Sequence, residues 1–441
     1  MESNWKTARL LDQYEVRSGL SKPAKDFGTG YPFLTFKDVF YNYFTPEVLG
    51  DLVESTDKER DGCSVKRGDV FLTRTSETMN ELGMSCVALK DYEGATFNGF
   101  CKRLRPNEQC ELVPEYVGYY LRSPKFRQAM LAFSTMSTRA SLNNEMIGRL
   151  EISYPPKEAQ RHIAHVLKTL DNKITLNRQI NQTLEQMAQT LFKSWFVDFD
   201  PVMDNALDAG NPIPDELQHR AEARKAVRES EGFKPLPDDV RQLFPDSFKE
   251  SELGWVPKGW KVIQISQAAK VTSGKRPPSK GTVKSKEEPI PVWGGNGVKW
   301  FTNIALSHDR HIITGRVGTL GTVYKVDGPS WASDNALVLR PIENQHYEYV
   351  FQVLSSYDIG SLNSGSTQPL VTQTALKGIK LLMPSSEALL NMFQNLAEGY
   401  DKKMGLNKVE TETLVQLRDT LLPELISGRI EVEEAGNVQT V

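Results

Sequence analysis

Five basic side chains, Lys275, Arg276, Lys280, Lys284 and Lys286, fall among glycine and proline in one short stretch, GKRPPSKGTVKSK. A cationic loop of this kind suits phosphate groups, which attract it without regard to base sequence. Trp293, Asn296, Lys299 and Trp300 follow in a glycine-rich turn, and an asparagine can read adenine through two hydrogen bonds. Arg316 sits in another glycine-rich turn, Gly315 to Gly321. Ser366, Thr367 and Gln368 offer polar groups late in the chain, and Ser137, Thr138 and Arg139 do so earlier. In the first third, Arg67, Arg74, Lys102 and Arg103 are the candidate phosphate or base contacts. A solvated loop for the lysines and a packed core for the tryptophans remain open beside these readings.

Catalytic chemistry is less well supplied. Tyr154-Pro155-Pro156-Lys157 does not fit the [DNS]PP[YFW] loop that an amine methyltransferase uses to hold its target base. Thr272-Ser273-Gly274-Lys275-Arg276 lacks the upstream glycine and the Ser/Thr of a phosphate-binding loop, and Gly315–Gly321 does not spell GxGxxG. Pro245-Asp246 with Lys249 resembles a nuclease motif only faintly. His162 and His165 stand three apart, a spacing that fits surface or interface histidines as well as a metal pair. Neither a Ser/His/Asp set nor HExxH occurs. No metal, cofactor or catalytic residue is expected in this chain.

The binding groups must be held by something, and the most regular element is Lys157 to Phe196. It contains neither glycine nor proline. A heptad frame places Ile163, Val166, Leu170, Lys173, Asn177, Ile180, Leu184, Met187, Leu191 and Ser194 on one seam. That predicts a helix of roughly 60 Å, a strut rather than a core helix. The same frame returns at Phe393, Leu396, Tyr400, Lys403, Asn407, Glu410, Leu414, Leu417, Leu421 and Glu424. Asn177 and Asn407 share a position, where a polar seam residue fixes register. Each strut is the obvious partner for the other.

The segments before the struts also repeat. Trp5-Lys6 matches Trp260-Lys261 and Ser18-Gly19 matches Ser273-Gly274, at an offset of 255. Phe71-Leu72-Thr73 matches Ile312-Ile313-Thr314 at 241, Arg105-Pro106 matches Arg340-Pro341 at 235, and Tyr116-Val117 matches Tyr349-Val350 at 233. Ser137-Thr138 and Pro155 match Ser366-Thr367 and Pro384 at 229. Preserved order with a smooth drift indicates tandem duplication.

The expected fold is therefore α+β, with two strand-rich domains each followed by a long helix and the helices paired as an antiparallel coiled coil. The divisions fall at 1–156, 157–197 for the first strut, 198–254, 255–384, 385–428 for the second strut, and a 429–441 tail. Residues 198–254 are rich in Pro, Asp and Glu and read as a connector, partly ordered at best. Their net charge is −7, against +7 for 255–384, which points to a polyanionic partner for the latter. Four cysteines without CxxC spacing read as reduced thiols. No run is apolar enough for a membrane span and no signal-peptide pattern opens the sequence, so a cytoplasmic location is expected.

Taken together, the tandem layout, YPPKEAQRHIAHVLKTLDNKI, LNRQINQTLEQMAQTLFKSWFVDFDPV, LFPDSFKESELGWVPKGWKV and STQPLVTQTALKGIKLLMP resemble the specificity subunits of type I restriction-modification systems. The likeness spans essentially the whole chain. It implies that each domain recognises one half of a split site in double-stranded DNA, and that the struts set the spacing between halves. It implies two modification (methyltransferase) subunits docked around the struts, and restriction/translocase subunits beyond them. S-adenosylmethionine and ATP with magnesium are implied on those partners. One departure is MPSSEALLNMF at the second strut, where the family's pattern is Pro-x-x-Glu-Gln-(Arg/Gln)-x-Ile. The rival reading is a protein–protein adaptor with duplicated binding domains; an enzyme with an unfamiliar site is a further one.

Overall fold

The structure, a computed structural model, describes residues 4–76, 81–132, 140–318, 320–365 and 368–430. Two helices dominate it, Lys157–Phe196 and Glu387–Ser427. The second accommodates Pro423 near its end, where a kink displaces only the few residues beyond it. The chain forms two compact units, Met1–Arg178 with Lys408–Val441, and Gln179–Asn407. Each strut therefore gives one part of its length to each unit.

Within the first unit, Arg418 pairs with Asp171 at 2.7 Å and the Asn177 amide donates to Glu410 at 2.8 Å. Within the second, Asn407 donates to Asn181 at 2.8 Å, and Asn181 to the Met404 carbonyl at 3.2 Å. Numbers rise along one helix as they fall along the other, so the pairing is antiparallel.

The seam differs from the predicted one at alternate positions. Ile163, Leu170 and Asn177 are buried as expected, but Leu167, Ile174 and Ala188 are buried where the heptad frame puts Val166, Lys173 and Met187. Lys173 and Met187 are exposed. The second strut shows the same displacement: Ala397 is buried where the frame puts Leu396, and Lys403 and Glu410 face water. Steps of four then three and steps of three then four share every seventh residue, so a heptad count alone does not separate them.

In the first unit a four-stranded sheet runs Tyr14–Ser18, Cys101–Pro106, Val70–Thr73, Ser85–Val87. Its counterpart in the second runs Ala269–Ser273, Ala336–Pro341, His311–Gly315, Val323–Val326. Each unit adds a three-stranded sheet, around Phe27–Leu34 and around Ile290–Gly294. The duplication is thus present strand for strand.

Strand pairing corrects one offset. Val70 faces Leu104, and Ile312 faces Leu339. Since Arg105-Pro106 matches Arg340-Pro341, Val70 is the equivalent of Ile312 and the offset is 242, not 241. The cores agree: Val70 and Ile312 pack with the struts, while Phe71 and Ile313 face the opposite side of the sheet. A one-residue slip would exchange those faces.

Each domain core is completed by strut residues. Ile163, Leu167 and Leu170, with Leu421, Leu425 and Ile426, close the first. Phe192, Trp195 and Phe196, with Leu389, Leu390 and Phe393, close the second. Phe196 lies 5.1 Å from Phe393 and 5.0 Å from Tyr349 between ring centroids. Phe199, the one positive-φ residue other than glycine among the described residues, turns the chain out of the strut.

Residues 198–254, expected to be only partly ordered, are folded. They contain the helices Asp200–Ala209, Gln218–Glu229 and Asp238–Arg241 and a hairpin of Phe248–Ser251 with Gly254–Pro257. The acidic surplus is met by arginines: Arg224 grips Asp204 through two bonds of 2.9 and 2.6 Å. Among the described residues no helix is long and apolar enough to cross a membrane.

Asp171 is a polar anchor for the first strut. It accepts from Tyr119 at 2.8 Å as well as from Arg418. Removing its carboxylate leaves the buried Tyr119 phenol without its acceptor and takes one of two carboxylates from Arg418, which keeps Asp419 at 2.7 Å. Asp171→Ala should lower stability by about 2 kcal/mol. Urea unfolding of the full chain measures this, and an unchanged first transition would contradict the anchoring role.

Candidate nucleic-acid interface

Correct strand pairing brings two candidates into equivalence. Arg74 and Arg316 both follow the central strand of their four-stranded sheets. The Arg74 N–H donates to the Phe100 carbonyl at 2.7 Å, and its own carbonyl accepts from Leu142 N–H at 2.8 Å. The Arg316 N–H donates to the Asn335 carbonyl at 2.9 Å, and its carbonyl accepts from Val371 N–H at 2.9 Å. These partners are themselves equivalent, at offsets of 235 and 229. The backbone fixing each arginine is therefore duplicated.

The surroundings of Arg74 are cationic. Arg74 is exposed. Beside it the Lys102 ammonium donates to Ser18 Oγ at 3.0 Å, and its pKa is pushed down by partial burial first and then by the charge of Arg74. Phe100, between them in sequence, is 63% exposed. In the second unit Arg316 Nη1 reaches Ser273 Oγ at 3.4 Å, and Ser273 is the equivalent of Ser18. The Nε of Arg316 is buried without a hydrogen-bond partner. A bound anion would relieve both arrangements.

The second unit carries more. Lys275 is fixed by its backbone, which donates to the Ala332 carbonyl at 2.9 Å and accepts from the Trp331 indole at 2.7 Å. Its side chain and that of Arg276 remain exposed. Lys280 and Lys299 place their ammoniums 4.3 and 4.5 Å from the centre of the Trp300 ring. Asn296 is exposed in the turn between Ile290–Gly294 and Gly297–Thr302. A groove of about 260 Å³ runs past Asn296, Lys299, Trp300, Ser333 and Asn335. Trp293 instead packs against Tyr324 at 5.5 Å. Cationic stems, a stacking surface and amide edges are the groups that contact phosphates and bases.

The model of the type I restriction modification DNA specificity domain matches residues 2–186 and 257–409. The chain belongs to this family. It is a specificity subunit, a non-catalytic part of a type I restriction-modification system.

Similar proteins agree with that assignment. The HindI specificity subunit of Haemophilus influenzae is 26% identical, covering 97% of this chain and all of that protein. The MjaIX specificity subunit of Methanocaldococcus jannaschii is 22% identical, covering 98% of this chain and 94% of that one. The crystal structure of the S subunit from M. genitalium shares the fold with a TM-score of 0.59 at 14% identity, covering 96% of each chain.

Other candidates of this specificity subunit are placed less favourably. Arg103 is 3% exposed and donates to the Ser64 carbonyl at 2.7 Å, so it is withdrawn from any phosphate and its candidacy is corrected. Burial is also what lowers its pKa. Arg67 pairs with Glu115 at 2.7 Å and precedes the strand Val70–Thr73, whereas Arg74 follows it. Arg67 therefore belongs to the other end of the sheet from Arg74. Lys284 and Gln368 are exposed. Thr138, Arg139 and Thr367 lie outside the described residues. Asn177 and Asn407, the register candidates, are buried at 1% and 2% exposure. Sequence reasoning missed Phe100 and Asn335, although their equivalence follows from the repeat once the offset of 235 is applied.

Proposed function

We propose that this specificity subunit recognises a bipartite, asymmetric DNA site, one half per domain, and that the paired struts carry two modification subunits, with restriction/translocase subunits joining them. S-adenosylmethionine and ATP with magnesium belong to those partners, and the assembly acts in the cytoplasm. The observation that carries the DNA reading is the equivalence of Arg74 and Arg316. Two identically fixed arginines emerge among loops that otherwise differ, YPFLTFKDVFYNYFTP in one domain and SKEEPIPVWGGNGVKWFTN in the other. A shared cation suits the phosphate backbone common to both half-sites, and divergent loops suit different bases.

The test is a pair of single variants. Arg74→Ala and Arg316→Ala should each weaken binding about fivefold to tenfold and reduce the salt slope by about one. Neither should alter which bases are preferred. Binding measured across salt concentrations, with selection from a randomised duplex library, gives both readings. A variant that binds as tightly as the parent at all salt concentrations would remove that arginine from the interface.

A further inference from the structure

Beside the first strut of the first unit lies a groove of about 520 Å³, lined by Arg67, Lys157, Arg161, His165 and Lys168 above Leu112. Glu115, also on the groove, is occupied by Arg67. Lys157, Arg161 and Lys168 make no ion pair among the described residues. They stand at steps of four and seven along one helix face, where like charges repel. Lys157 also opens the helix, where a cation opposes its dipole. Glu158 is the one carboxylate in the first turn, rotated off that face by about 100°. Lys157 also feels the Glu111 carboxylate, so Arg161 and Lys168 are the cations beside this apolar floor that most call for an acidic occupant.

The cationic lining of this groove is not repeated in the duplicate. Buried positions align the struts at an offset of 230, Ile163 with Phe393 and Asn177 with Asn407. Lys157, Arg161, His165 and Lys168 then correspond to Glu387, Asn391, Asn395 and Glu398. Glu398 pairs with Arg310, and Glu387 lies 3.7 Å from His346. The scaffold is repeated but the charge of this face is reversed. Position also bears on the occupant's class. Arg67 precedes the strand Val70–Thr73 and Arg74 follows it, so the groove lies at the end of the sheet away from the proposed DNA contacts. A duplex held at Arg74 has its charge elsewhere.

We infer that the groove seats an acidic segment of a modification subunit, and that only the first half of the chain offers such a seat. This rests on the reading that modification subunits assemble on the struts. Two copies of one subunit then meet unlike surfaces, and one is held by an electrostatic contact that the other lacks.

The experiment uses the purified full chain and its purified modification subunit, titrated together and read by mass photometry. The parent should bind two copies, one of which weakens more steeply with salt. Arg161→Glu with Lys168→Glu should weaken that copy about tenfold or more and leave the other unchanged. Arg161→Gln with Lys168→Gln, a milder change that leaves the helix intact, should give a smaller loss in the same copy. Affinity for duplex DNA should stay within about twofold of the parent in both variants. Equal binding of both copies by parent and variants would overturn the groove while leaving the assembly intact. A parallel loss of DNA affinity would overturn it in favour of a nucleic-acid seat. A parent that binds no modification subunit would overturn the assembly reading, and the groove's occupant with it.

Discussion

Gly274→Ala should destabilise the second unit by about 3 kcal/mol and abolish ordered presentation of the basic loop. A Cβ at this position would lie 2.1 Å from the Ser333 carbonyl oxygen and 2.5 Å from that of Ala332. Both obstacles are backbone, held by the ladder, and cannot rotate aside. Gly274 N–H donates to the Ala336 carbonyl at 3.0 Å and Lys275 N–H to the Ala332 carbonyl at 2.9 Å, so any outward shift breaks bonds that fix the loop. Gly19 meets the same restriction in the first unit: its Cβ would lie 2.2 Å from the Asn98 carbonyl oxygen and 2.6 Å from that of Phe97. The paired variants make a clean comparison. Gly274→Ala should cost about tenfold or more in recognition of the second half-site and leave the first half-sequence intact, and Gly19→Ala should do the reverse. Urea unfolding and half-site selection check each. Parental stability in either variant would show that the loop root can yield.

These equivalent glycines explain why the duplication is legible in the sequence. Ser18-Gly19 and Ser273-Gly274 repeat because each chain must pass close against a neighbouring backbone. The first strut is legible because forty residues without glycine or proline, at a period near 3.5, leave few other folds, and the second because it repeats the same frame despite Gly399, Gly405 and Pro423. Their seam is only partly so. Val166 and Leu167 are both apolar, so the local pattern allows either, and only the contrast of Lys173 with Ile174 favours the seam that forms.

The offset at Phe71-Leu72-Thr73 fails for a related reason. Consecutive apolar residues buried on both faces of a sheet carry no alternation, so Ile312-Ile313-Thr314 matches equally well one residue out of place. Composition misjudges 198–254, because a count of acids does not show that Arg224, Arg228 and Arg241 stand where Asp204 and Asp208 can reach them. Among site residues, charge alone singles out Arg74 and Arg316, and their equivalence needs strand pairing. Arg103 carries the same charge, but its strand position turns it inward.

Lengthening both struts by one heptad should lengthen the spacer of the preferred DNA site and leave both half-sequences unchanged. Each helix passes from one unit into the other, and on the proposed reading the struts set the distance between the two half-sites. The insertion points must lie opposite each other. Asn177 bonds to Glu410 and Asn181 to Asn407, so the pair is centred between Arg178 and Gln179 on one helix and near Asn407 and Lys408 on the other. Insertions after Arg178 and after Asn407 leave both polar contacts within their own units. Seven residues keep the seam facing inward, so pairing should survive. The struts gain about 10.5 Å, at roughly 1.5 Å per residue. On B-form DNA that is about 3 base pairs, at roughly 3.4 Å each. Three base pairs also turn the second half-site by roughly 100° around the duplex, since a turn takes about 10.5. Twisting of the DNA must absorb that rotation, so affinity should fall. Smooth deformation of a short site costs on the order of 1–6 kcal/mol, which sets the scale of the loss. The measurement is selection from a library containing every spacer length between fixed halves, followed by a second library with randomised halves. An unchanged spacer would mean that the struts do not set the spacing, and a changed half-sequence would mean that the domains do not read independently.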